Sequence, residues 1–397
     1  MDHRPARGIV VIVIEHGLHI TQGGSFSPLL APSEKSVERK IAMRKDDSIR
    51  TFLLGLLVLT AMTCGCGGEG TELNPNPSAP PATEASGGNQ MQGPVLGFVY
   101  TVGGMEARAI NGVPGGSSLG LPLPVPAGVT SLAFAPGQKY ALAEQTEGAS
   151  LGLMAFAGAE PGALVQIAGT IPKPDVISFS PKGAAAALYS APEGQLQVVT
   201  GLPRNPQLSR QMTSGELPSA VRLLAIADDG ATLLAGTANN SVYLLGSGGA
   251  QLLESVSSLG GMVFTPQSND ALIFDSGAGT LSLLHEVSGA HSSRVLAQGL
   301  TGLTGNLAVG TDGRHAVITT SNASHLWEID LASQAVQEVQ LPTPPTMLLP
   351  LRLSGHFLLA WQPDEPAWIL NTNPAEGAVY FVPAAHQAAQ EARSAGH

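Results

Sequence analysis

Three charged side chains interrupt apolar stretches of this sequence: Asp175, Arg222 and Arg352. An acid converging with arginines could polarise a carbonyl and hold the anion formed by water attack, the work of a hydrolase. We name these three as catalytic candidates. Their plainer role is as rim or turn residues, because a full set of converging acids and histidines cannot be assembled around them. His285 and His291 flank Glu286, but a six-residue spacing across a strand and turn does not place them on one face, and further ligands are missing, so no metal is expected. Asp228 with Asp229 suggests calcium, yet the loop offers few other oxygen donors, and a β-turn explains the pair. The three tryptophans are Trp327, Trp361 and Trp368. Trp361 and Trp368 could stack on a sugar or peptide, or Trp327 and Trp361 could pack between repeats. Phosphate loops, dinucleotide fingerprints and nucleophile elbows are all missing from the sequence, so no cofactor is expected.

These residues sit in a repeated strand–turn–strand phrase. Its turns fall at Pro136, Pro181, Asp228, Pro266, Thr311 and Leu353. The steps are roughly 45, 47, 38, 45 and 42 residues, the period of four-stranded propeller blades. The phrases run Val129–Phe134 into Tyr140–Ala143, Val176–Phe179 into Ala184–Tyr189, and Val221–Ile226 into Ala231–Ala235. Gly261–Phe264 into Ala271–Phe274, Asn306–Val309 into Ala316–Thr320, and Met347–Leu353 into Phe357–Trp361 complete the six. Val95–Val102, Met105–Ile110 and Leu119–Leu123 form most of a seventh unit, lacking its innermost strand. The pattern predicts an all-β fold, a β-propeller of four-stranded antiparallel blades. Seven blades fit best, six or eight being the alternatives. Ala378–Phe381 could complete its own blade or the first.

The front of the chain is different in kind. Arg44, Lys45 and Arg50 precede an apolar run from Phe52 to Met62, then Cys64–Gly65–Cys66. That run is too short to span a bilayer and suits a signal-peptide core. Gly, Pro, Ser, Thr, Asn and Glu then dominate from Gly67 to Gln92. The arrangement resembles a bacterial lipoprotein signal, in which a thiol at the new amino terminus carries the lipid. Gly65 favours Cys66 as the lipidated residue; Cys64 is the alternative. The preceding Met43 reads as the start of translation, and residues 1–42 as a gene-model extension or disordered leader. The resulting division is 43–66 signal, 67–94 disordered linker, 95–383 propeller and 384–397 tail.

The unit from Asp312–Gly313–Arg314 through Ala316–Thr320 to Leu326–Trp327–Glu328–Ile329–Asp330 is similar to the repeat of YncE-like and lactonase-type propellers. Ser178–Pro181 and Ala133–Pro136 resemble that family's first-strand ending. The likeness implies the fold; a lactonase-like hydrolase at the central channel is the activity it would suggest, but no matching site residues carry that activity over.

Composition narrows the classes further. The formal net charge is −11 and only 12% of residues are charged, which argues against a nucleic-acid surface. Gly 48 and Pro 30 suit many tight turns. With 2 cysteines in one tripeptide, no disulfide framework can staple the repeats. The expected protein is exported and held to the membrane by an N-terminal lipid, facing the periplasm or the cell surface. Its propeller would be a non-catalytic scaffold for a protein or glycan partner, or a cell-wall-binding module.

Overall fold

The computed structural model describes residues 93–101, 106–158, 160–300, 305–319, 323–362, 365–373 and 379–384. The signal, both cysteines and nearly all of the linker and tail lie outside these residues. The described chain forms seven antiparallel sheets, each from one continuous stretch, arranged as a seven-bladed β-propeller. Blade 1 holds β1 (Val95–Thr101), β2 (Glu106–Val113) and β3 (Gly116–Leu123). Blade 2 holds β4 (Val129–Phe134), β5 (Tyr140–Gln145), β6 (Gly152–Ala155) and β7 (Leu164–Gln166). Blade 3 runs β8 (Val176–Phe179), β9 (Ala185–Ser190), β10 (Gln195–Thr200) and β11 (Gln207–Thr213). Blade 4 is β12 (Val221–Ile226), β13 (Leu233–Thr237), β14 (Ser241–Gly246) and β15 (Gly249–Ser255). Blade 5 is β16 (Leu259–Phe264), β17 (Ala271–Asp275), β18 (Thr280–His285) and β19 (Ser292–Gln298). Blade 6 contains β20 (Leu307–Val309), β21 (His315–Thr319), β22 (His325–Asp330) and β23 (Val336–Gln340). Blade 7 contains β24 (Leu349–Pro350), β25 (His356–Ala360), β26 (Ala367–Asn371) and β27 (Val379–Val382).

Successive first strands β8, β12, β16, β20 and β24 are neighbours across blades, which places them innermost. Second strands are buried on both faces, so they read as apolar runs rather than alternating ones. Outermost strands keep one face in water: β11 alternates strictly between exposed and half-buried residues. Two strands differ from the repeat pattern. β13 starts at Leu233 rather than Ala231 because the Asp229 carboxylate takes the amides of Ala231 and Thr232 into the turn. β24 is cut to two residues, because Thr346 and Met347 both donate to the Leu359 carbonyl ahead of it. β27 pairs with β26 and so completes its own blade.

Seven apolar clusters fill the seven interfaces between neighbouring blades. Each buried Leu, Ile or Phe contributes about 1.5–3 kcal/mol. Between blades 1 and 2, Phe98, Phe134 and Phe156 meet with centroids 4.6–5.8 Å apart. Leu96 and Ile110 of blade 1 pack against Leu358, Trp361 and Ile369 of blade 7, which shuts the ring.

Among the described residues blade 1 has three strands, and the inner edge of β1 has no strand partner there. Gln138, fully buried in the turn after β4, stands in for it. Its Oε1 accepts the Phe98 amide and its Nε2 donates to the Phe98 carbonyl at 3.1 Å. The Arg352 amide donates to the Leu96 carbonyl at 3.0 Å. Gly97 is required between them, because a Cβ there would lie 2.4 Å from Gln138 Oε1 and 2.6 Å from a Leu351 methyl.

Candidate functional site

The two ends of the ring differ in chemistry. At the hairpin end, where first strands turn into second strands, polar groups are spent on the fold. Asp228 accepts the amides of Lys182 and Gln267, at 2.8 and 3.0 Å, and so ties the turns of blades 3, 4 and 5. Asp312 accepts the Ser354 hydroxyl at 2.8 Å, linking blades 6 and 7. Arg352 lies here too. Its guanidinium sits 4.6 Å over the Phe98 ring and donates to the carbonyls of Gln138 and Phe156. Burial draws its pKa below the ordinary arginine value.

Asp175 and Arg222 stand at the opposite end, where the chain passes from blade to blade. Asp175 precedes β8 and accepts the Ala191 amide at 2.8 Å. Arg222 occupies the β-bulge of β12 between Val221 and Leu223, half-buried. The ring thus separates Arg352 from the other two candidates. His285 places Nδ1 2.8 Å from Asp270 on the side of its own blade. The tryptophans are not brought together either. Trp361 is 5% exposed and packs in the interface of blades 7 and 1. Trp368 faces blade 6 and meets Phe381 at 5.8 Å. Trp327 packs between blades 5 and 6.

A residue outside the sequence candidates, Glu144, has the most unusual setting. It lies on β5 directly across from Ser131 of β4, and both face blade 3 with Ala133 and Leu142. Glu144 is 9% exposed and Ser131 4%. Counted from the hairpin, the same register holds Val176 with Tyr189 in blade 3 and Leu223 with Gly236 in blade 4. In blade 5 it holds Gly261 with Phe274, and in blade 6 the amide of Thr319 meets the carbonyl of Asn306. None of those positions carries a charge.

The Glu144 side chain is 9% exposed, and among the described residues the Ser131 hydroxyl opposite it is buried without a partner. The Tyr100 hydroxyl of blade 1 is likewise buried and unpartnered. Burial pushes the Glu144 pKa up to about 7, against the pull of Lys173 and with the help of Asp175. Tyr100 is raised by its own burial and then by the Glu144 charge. Lys173 is exposed and directs its ammonium to the Thr146 carbonyl at 3.3 Å. An open cleft of about 570 Å³ lies on the same blade, lined by Gly128, Gln145, Thr146, Ser150 and Gln166 but not by Glu144 or Ser131.

Two other acids show what a paired carboxylate looks like in this fold. Glu328 meets His315 at 2.8 Å in the interface of blades 6 and 7. Burial raises the Asp275 pKa, but the amides of Ser257, Ala278 and Ser258 outweigh it and hold the carboxyl below its usual range. Glu144 has neither kind of partner. The sequence phrase Tyr140–Ala143 ends one residue short of it; only laying the repeats over one another shows an acid at an otherwise uncharged position.

No family model matches the chain, and neither does any curated protein. Solved structures are similar at the level of fold. A hydrazine synthase chain from Kuenenia stuttgartiensis is 13% identical, covering 72% of this chain and 92% of its own, with a TM-score of 0.46. A functionally unknown protein from Desulfotomaculum acetoxidans is 12% identical over 73% of this chain and 100% of its own, at 0.48. A proposed 6-phosphogluconolactonase from Bacteroides fragilis is 13% identical over 72% and 92%, at 0.49.

Proposed function

We propose that this chain is an exported lipoprotein whose propeller is a rigid, non-catalytic binding scaffold held at the cell envelope. The observation that carries the scaffold reading is the closed ring itself. Seven apolar interfaces fix the blades, and Arg352 and Asp228 are committed to fastening the ring. Around the rim, large apolar side chains face solvent on outer strands, among them Leu121, Val165, Leu252, Val295, Val336 and Phe381. A hydrolase at the channel would need its charged groups together, whereas Arg352 is at one end and Asp175 and Arg222 at the other. The membrane tether rests on the basic start, the apolar core and the Cys64–Gly65–Cys66 run.

Mass spectrometry of the mature amino terminus tests the tether. The expected result is a lipid-modified cysteine at position 66, or at 64, and release of a Cys64→Ala/Cys66→Ala double variant from the membrane fraction. A variant that stays membrane-bound with an unmodified amino terminus would end this reading. Crosslinking in cells tests the scaffold: substitution of rim residues such as Leu121 and Phe381 with Lys should remove a specific adduct.

A further inference from the structure

We propose that Ser131 and Glu144 form a binding site for a primary ammonium group at the loop end of the ring, between blades 2 and 3. It goes beyond the scaffold reading and does not depend on export or on the lipid. The position is built rather than incidental: other blades fill the same register without a charge, as with Val176 and Tyr189 or Leu223 and Gly236. Here a carboxylate and a hydroxyl face the same interface instead, Glu144 9% exposed and Ser131 4%; among the described residues the Ser131 hydroxyl is buried without a partner. A buried polar group left unpaired destabilises a fold, so its retention calls for a ligand that satisfies it.

The donor set selects the ligand. Glu144 and Ser131 offer acceptors, with the Asp175 carboxylate on the adjoining blade and the Tyr100 hydroxyl near. An alkylammonium has three donors and one positive charge, which matches acceptors grouped around a single buried acid. A neutral ligand would leave the carboxylate uncompensated. Calcium takes six to eight oxygens, whereas Glu144 and Ser131 together supply three and Asp175 already accepts the Ala191 amide. The charged and titratable groups acting on Glu144 are Lys173, which opposes a cation, and Asp175, which favours one; Tyr100, packed between blades 1 and 2, feels its charge. Lys173 is directed to the Thr146 carbonyl and leaves the site to the ligand.

Calorimetric titration of the full chain with n-butylammonium chloride, at constant ionic strength, tests the proposal. One-to-one binding is expected at pH 8, and it should weaken about tenfold at pH 6 as Glu144 takes up its proton. Glu144→Gln should weaken it at least tenfold and Ser131→Ala by a smaller factor, while n-butanol at the same concentrations should not bind. The proposal is overturned by no binding at pH 8, by equal binding to Glu144→Gln, or by butanol binding as well as the amine, which would mark a water site. Should Glu144→Gln fail to fold, the pH dependence and the butanol comparison on the native chain still decide.

Discussion

At the scale of single residues, acids that fasten the fold differ from acids that do not, Glu144 among the latter. Asp228, Asp275 and Asp312 each hold amides or hydroxyls at turns. Glu144 is buried without such bonds, and the cost has a definite pH signature. Its folded pKa is near 7, above the ordinary 4.5, so the native state binds a proton more tightly than the unfolded chain. That contribution is fully present below about 4.5 and is lost as pH rises through 7. Glu144→Gln cannot ionise, so its stability relative to the native chain should increase from pH 4 to pH 8, by at most about 3 kcal/mol. Urea unfolding at both values measures this. A constant difference across that range would mean that Glu144 is solvated. The sequence points to Asp175, Arg222 and Arg352 because they are the charges that interrupt its apolar first-strand phrases. Glu144 is passed over because a strand's apolar run hides the acid that follows it.

At the scale of elements, the repeat was legible because each blade uses one stretch of chain with a Gly- or Pro-marked turn and two apolar strands. Strand ends were less legible. A carboxylate such as Asp229 can take two amides into its turn, and only coordinates show that β13 begins later for that reason. The missing inner strand of blade 1 was readable, but its substitute was not, since a glutamine in a turn gives no sign of pairing with a strand 40 residues earlier. Gln138→Leu keeps most of the volume and removes both bonds to Phe98. Two buried backbone groups are then unpaired, and we expect a loss of roughly 2–4 kcal/mol. The urea midpoint should fall accordingly; an unchanged midpoint would show that the β1 edge is supported otherwise.

At the scale of the whole molecule, stability depends on the ring being shut. Every blade hides one apolar face against the next, so removing a blade exposes two faces at once. Deletion of residues 95–123 should leave Phe134 and Phe156 of blade 2 and Trp361 and Ile369 of blade 7 uncovered. Broad, poorly cooperative unfolding and binding of a hydrophobic dye are expected. A sharp transition at the native midpoint would instead mean that six blades can close on themselves.

The glutamine beside β1 also sets how the molecule bears load. A pull on the amino end enters the propeller at Val95. Among the described residues, the first strand to feel it is held on its inner side by one side-chain amide and one backbone bond, where other blades have a whole strand. Under tension blade 1 is the natural place for rupture to begin, and the six remaining blades would be reached only after it peels away.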